Sequence, residues 1–99
     1  MNMQALMREA QKMQKSLQKT QEELENSVYE GKSSLVEVKL NGNKNILSIK
    51  VNVEDTLEKD DIEMLEDMIM VAFKEASKKV DEDKEKKLGK YGNGLAGLM

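Results

Sequence analysis

The apolar series Leu6, Ala10, Met13, Leu17, Thr20 and Leu24 advances by alternating steps of four and three, the a/d rhythm of a coiled-coil seam. Gln, Glu, Lys and Met fill most of the positions between, all good helix formers. The spacing predicts one helix over 3–26, roughly 36 Å long at about 1.5 Å per residue. In a chain of 99 residues, long enough for one modestly stable core and too short for two, such a helix is an arm rather than a core element.

Gly31 ends that pattern and the period drops to two. Val36, Val38 and Leu40 alternate with Glu37 and Lys39, and Leu47, Ile49, Val51 and Val53 alternate with Ser48, Lys50 and Asn52, which predicts half-buried strands. Asn41-Gly42 between them tolerates positive φ and suits a hairpin turn. A shorter strand at Val28 to Gly31 precedes the pair, so the strands occupy about 28–53. A second helix is expected over 60–88, capped by Asp60 or Asp61, with Ile62, Leu65, Ile69, Ala72, Ala76 and Val80 at helical spacing. Residues 89–99, "GKYGNGLAGLM", hold four glycines and are expected to form a flexible tail.

The fold class that follows is α+β: one domain over 1–88 in the order α-β-β-β-α, two long helical arms joined by a small antiparallel three-stranded sheet. If both arms project to one side, the start of the first and the end of the second share a tip. The chain is 38% hydrophobic but only 3% aromatic, and 35% charged with no proline, a composition that favours long helices over a compact globule. Such chains often complete their core with a second copy. The core and dimer candidates are Leu6, Met13, Leu17, Val36, Val38, Leu47, Ile49, Val51, Leu65 and Ile69, with Val36, Val38, Leu47, Ile49 and Val51 forming the buried sheet face.

No cysteine and no histidine are present, which removes disulfides, thiolate nucleophiles, Cys/His zinc sites and imidazole bases together. No catalysis, cofactor, metal or small-molecule substrate is expected. No signal-peptide core and no apolar run near the roughly 18 residues of a membrane span are present, so the expected location is the cytoplasm, with no membrane partner.

Charge is segregated along the chain. Residues 1–20 hold Arg8, Lys12, Lys15 and Lys19 against Glu9, a net of +3, and residues 84–99 hold Lys84, Lys86, Lys87 and Lys90 against Glu85, also +3. Residues 21–30 carry −4 and residues 54–67 carry −7, within an overall −3. An acidic chain can therefore present locally positive ends to a polyanion. Lys and Arg on phosphates give sequence-independent, salt-dependent binding. With only Tyr29, Phe73 and Tyr91 available for stacking, duplex backbone contact suits these residues better than single-strand binding. A Lys/Glu-rich helix face is by itself most often merely solvated.

Other signals are structural. "GNGLAG" at 92–97 has the G-x-G-x-x-G spacing but follows a helix and lacks the strand before and helix after that a dinucleotide turn needs. Asp60 and Asp61 suit a helix cap, and Asp81, Glu82 and Asp83 lack the glycine-bearing loop of a calcium site. Met7, Met13, Met64, Met68 and Met70 fit core or dimer-seam filling.

The segments "NMQALMREAQKMQKSLQKTQEEL", "LVEVKLNG" and above all "LEKDDIEMLEDMIMVAFKEASKKVDE" resemble the YbaB/EbfC family of bacterial nucleoid-associated DNA-binding proteins, over most of the chain. The resemblance implies an α-β-β-β-α fold, a homodimer formed through the sheet region, and paired helices that hold duplex DNA like tweezers. It puts Arg8, Lys12, Lys15 and Lys19 on the first arm and Lys84, Lys86, Lys87 and Lys90 on the second forward as DNA-binding positions. "GKSSLVEV" lacks the glycine run often found before the second strand, and the tail lacks the prolines many relatives carry. The expected function is DNA binding in nucleoid organisation or gene expression. The alternative is a chaperone or interaction module of prefoldin-like helix-hairpin-helix architecture. Lysine-rich arm ends speak against it, and the tail residues Leu95, Leu98 and Met99 speak for it.

Overall fold

The computed structural model describes residues 2–91. Its order is α1 (Met3–Asn26), β1 (Tyr29–Ser33), β2 (Val36–Leu40), β3 (Ile46–Val51) and α2 (Lys59–Leu88), followed by a 3-10 turn at Gly89–Tyr91. The strands form one antiparallel sheet with β2 in the middle. No helix among the described residues is long and apolar enough to cross a membrane.

The core is the contact between the sheet and the middle of α2. Val36, Val38 and Leu40, on one face of β2, and Ala72, Ala76 and Val80, on one stripe of α2, are all fully buried. The alanines let β1 approach the helix backbone. A Cβ on Gly31 would overlap the Ala72 carbonyl oxygen and lie 2.6 Å from the Ala76 nitrogen, so this position admits glycine for closeness of packing. Leu65, Met68, Ile69 and Phe73 fringe the cluster, half-buried.

α1 and α2 run antiparallel. Leu24 and Lys84 line one small cavity, and the Ser16 and Tyr91 hydroxyls share a hydrogen bond of 2.6 Å. From Ser16 to Met3 the first helix continues for roughly 20 Å with every residue exposed among the described part of the chain. The molecule measures 72 × 20 × 15 Å with a radius of gyration of 19.4 Å, against about 13 Å for a compact chain of this length.

Several expectations are corrected. Leu47, Ile49 and Val51 are not buried in the chain's own core: they are 52%, 45% and 40% exposed. Ile49 and Val51 pair with Val38 and Val36 and share their face, but α2 covers only β1 and β2. A register shift opposite Lys39 and Leu40 puts Ile46, not Leu47, across from Leu40. Leu6 and Met13, candidates for core or dimer seam, take no part in the core among the described residues, at 46% and 58% exposed, because α2 ends before it reaches them. Leu17 is half-buried.

The N-cap of α2 is Glu58 rather than Asp60 or Asp61. Asp61 acts from inside the first turn, its Oδ2 accepting from the Glu58 N–H at 2.9 Å. In the hairpin, the positive φ falls on Lys44 (61°), while Asn41 Oδ1 accepts from the N–H groups of Asn43 and Asn45. Gly42 is needed for closeness, since a Cβ there would overlap the Leu24 carbonyl. Gly89–Tyr91, assigned to the tail by composition, continue α2 as a turn that meets α1. Residues 92–99 and the "GNGLAG" spacing, with Leu95, Leu98 and Met99, lie outside the described residues.

Candidate nucleic-acid interface

α1 begins at Asn2, whose Oδ1 accepts from the Gln4 N–H at 3.0 Å and satisfies one of the free donors of the first turn. A helix turns about 100° per residue, so Arg8, Lys12, Lys15 and Lys19 fall within an arc of about 60°. The series Leu6, Ala10, Met13, Leu17, Thr20 and Leu24 centres about 150° away. Where α1 packs on its own chain it uses that second series: Leu24 is 1% exposed and Leu17 and Thr20 are half-buried. The packing therefore turns the basic stripe outward.

All four cations of the stripe are exposed, and among the described residues none lies within 4 Å of a carboxylate. Some lysines elsewhere are held, Lys32 by Glu30 and Glu37, Lys44 by Asp81 at 3.0 Å, Lys78 by Glu82 and Lys79 by Glu75. Lys39, Lys50, Lys59 and Lys74 are exposed and, among the described residues, without an ion pair, but are not aligned with the stripe on one helix face. The stripe runs roughly 16 Å along the arm, about five base-pair steps of duplex at 3.4 Å each. Free, closely spaced cations on one line are the arrangement that can replace counterions on a phosphate backbone.

The second cluster is different in kind. Lys87 pairs with Asp83 at 3.1 Å, and Asp83 also accepts from the Tyr29 hydroxyl at 2.5 Å. That hydroxyl, with Lys87 beside it, holds the Asp83 carboxyl below its ordinary range. Tyr29 is in turn pushed up to about 12, by burial first and by the Asp83 charge. Lys84 is half-buried in the cavity beside Leu24, and Lys86 is exposed without an ion pair among the described residues. The Lys90 side chain lies outside the described residues.

The two clusters do not share a tip. The end of α2 meets α1 at Ser16, so Lys15 and Lys19 lie level with it while Lys12 and Arg8 extend roughly 6 and 12 Å beyond. The physical reason is that the sheet occupies the middle of α2, leaving only its last turns to run beside α1.

The aromatics are not available as stacking platforms: Tyr29 is 8% exposed, Phe73 is half-buried against the core, and Tyr91 is half-buried with its hydroxyl bound to Ser16. The Tyr29–Asp83 and Ser16–Tyr91 contacts join residues 54 and 75 positions apart, and no local sequence pattern signals either. Among the described residues no group of three or more His, Cys, Asp or Glu could hold a metal ion. The acidic segment 54–67 lies at the start of α2, at the opposite end of the long axis from the α1 tip.

A family model described as the YbaB/EbfC DNA-binding family matches residues 1–95. A nucleoid-associated protein of Ligilactobacillus salivarius is 36% identical over 100 residues, covering 99% of this chain and 95% of that one. Another from Agathobacter rectalis is 41% identical over 98 residues, covering 97% and 86%. A third, from Lactococcus lactis, is 40% identical over 97 residues, covering 96% and 97%. In three dimensions the chain resembles the crystal structure of the uncharacterized protein HP0035 from Helicobacter pylori, with a TM-score of 0.69 and 23% identity over 87% of this chain and 91% of that one. That likeness concerns the fold.

Proposed function

The chain belongs to the YbaB/EbfC DNA-binding family, and on that premise we propose that it is a homodimeric nucleoid-associated protein that holds duplex DNA by its phosphates. The observation that carries the reading is the α1 stripe: Arg8, Lys12, Lys15 and Lys19 on one line, exposed and without carboxylate partners among the described residues. Phosphate contacts position a protein on DNA without selecting sequence, which suits a role in nucleoid organisation or gene expression in the bacterial cytoplasm. Lys84, Lys86 and Lys87 add charge at the root of the arm. No step of the reading calls for catalysis or a cofactor.

The dimer rests on the β3 part of the α2-facing side of the sheet, which α2 leaves uncovered. A groove of about 360 Å³ is lined by Val38, Ile46, Ile49, Ile69, Met70 and Phe73, with Lys74 at its border. β3 is an edge strand whose Ile46, Leu47, Ile49 and Val51 are all 40% or more exposed. An apolar surface of this kind next to an unpaired strand edge calls for a partner, and a second copy supplies matching chemistry. Two arms on one particle multiply the affinity of each.

One observation favours the chaperone reading: Met3, Leu6, Met7 and Met13 are exposed on the arm. The basic stripe on the other face and the family favour DNA. Titrating duplexes of unrelated sequence distinguishes them. The expected result is similar affinity for all, weakened by Lys12→Glu/Lys15→Glu. Duplex binding unaffected by that pair, together with suppression of client aggregation, would reverse the choice.

A further inference from the structure

The first half of α1 presents two opposed faces, and the stripe uses only one. Met3, Leu6, Ala10 and Met13 lie at least about 140° around the helix from Arg8, and the three large ones are 73%, 46% and 58% exposed. Nothing in the described chain covers them, because α2 stops at the level of Ser16. They continue the seam that Leu17, Thr20 and Leu24 use to pack the helix root.

At the other end of the long axis, the loop after β3 and the first turns of α2 enclose a groove of about 250 Å³. Val53, Leu57, Met64 and Met68 supply its apolar wall, and Glu54 and Asp55 its rim. Val53, Leu57 and Met64 are 39%, 41% and 54% exposed. Residues 54–67 around it carry −7, whereas residues 1–20 carry +3.

We propose that this acid-rimmed groove receives the projecting half of α1 from a second copy, so that the protein associates head to tail. A helix laying an apolar face into a groove is an ordinary recognition mode, and here both halves are on the same molecule. They sit at opposite ends of a 72 Å axis and cannot meet within one chain. The opposite net charges of the two ends favour their encounter at long range, while the contact itself is made by apolar side chains. The pairing is heterologous and leaves a free arm and a free groove at the ends, so it propagates. It is separate from the sheet-side dimer, whose groove lies on the other flank of α2. The basic stripe faces away from the docked surface, so an arm engaged in this way still offers Arg8, Lys12, Lys15 and Lys19 to DNA, and neighbouring copies bind cooperatively along it.

The test is sedimentation velocity without DNA over a concentration series, on wild type, Leu6→Asp/Met13→Asp and Met64→Asp, with helicity checked by circular dichroism. These side chains are exposed, so both variants retain the fold. The weight-average mass of wild type is expected to at least about double above the dimer as concentration rises, and to fall back with added salt. Each variant alone stays at the dimer mass. Mixing the two restores growth, because one contributes the groove and the other the arm. A wild-type mass that never exceeds the dimer, variants that assemble like wild type, or a Met64→Asp protein that drops to monomer would each overturn head-to-tail association. Only loss of the dimer itself would bear on the function proposed above.

Discussion

The Tyr29 hydroxyl donates to Asp83 Oδ2 at 2.5 Å, and the same carboxylate holds Lys87 Nζ at 3.1 Å. The first contact ties β1 to α2 across 54 residues, just before the turns of α2 that meet α1. Lys79 Nζ adds a bond to the Glu30 carbonyl at 2.6 Å. The direction in which the arm projects depends on these contacts, since among the described residues α1 touches the body through its last turns and Ser16.

Removing the hydroxyl with Tyr29→Phe is expected to cost about 1.5 kcal/mol at neutral pH, the worth of a hydrogen bond to a charged group. The pH dependence has a definite sign. Asp83 titrates lower folded than unfolded, so its contribution is present above the unfolded pKa and lost as pH falls through the folded one. Tyr29 is raised to about 12 from 10.0, so its contribution is present below pH 10 and lost as pH rises toward 12. The gap between wild type and variant in thermal melts should therefore be full near pH 7 and close at both extremes. A gap that does not change with pH would mean the hydroxyl acts through packing alone.

Gly31→Ala places a methyl against the Ala72 carbonyl and the Ala76 nitrogen. Backbone cannot move aside as a side chain can, so the cost is expected near 3 kcal/mol or more, with Tm lower by more than about 10 °C. A melt within a few degrees of wild type would show that β1 and α2 are not packed this closely.

Ile49→Glu and Met70→Glu each put a carboxylate into the sheet-side groove without touching the chain's own core, since both residues are exposed. Light scattering should report the monomer mass for either. Loss of the second arm should weaken duplex binding by more than about tenfold. An unchanged dimer would place the interface elsewhere.

Lys87 is already held by Asp83, while Lys12 and Lys15 lack a carboxylate partner among the described residues. Lys86→Glu/Lys87→Glu is therefore expected to weaken DNA binding less than Lys12→Glu/Lys15→Glu in a gel-shift titration. The reverse order would move the interface to the root of the arm.

The two helices were legible because their apolar spacing runs without proline or glycine for several turns, and the sheet because Val36, Val38 and Leu40 alternate strictly. What misled was local or distant in a way spacing does not record. A one-residue bulge exchanges Ile46 for Leu47, and a reciprocal cap at Glu58 looks like a cap at Asp60 or Asp61. Apolar alternation marks β3 as needing cover but does not say whether α2 or another chain provides it. The stripe was visible as residue types, while its freedom from carboxylates and the outward turn of the arm depend on contacts such as Leu24 beneath Gly42. The shared tip failed because helix lengths alone do not say where along α2 the sheet sits.

The proposed role of the α1 stripe is contact with DNA phosphates. Its most direct test is the slope of log affinity for duplex DNA against log salt concentration, measured for wild type and for Lys12→Glu/Lys15→Glu. Each phosphate contact contributes about −0.9 to that slope. The expected slope is steep and negative for wild type and shallower by about 2 or more in the variant. A wild-type affinity independent of salt, or two identical slopes, would contradict it.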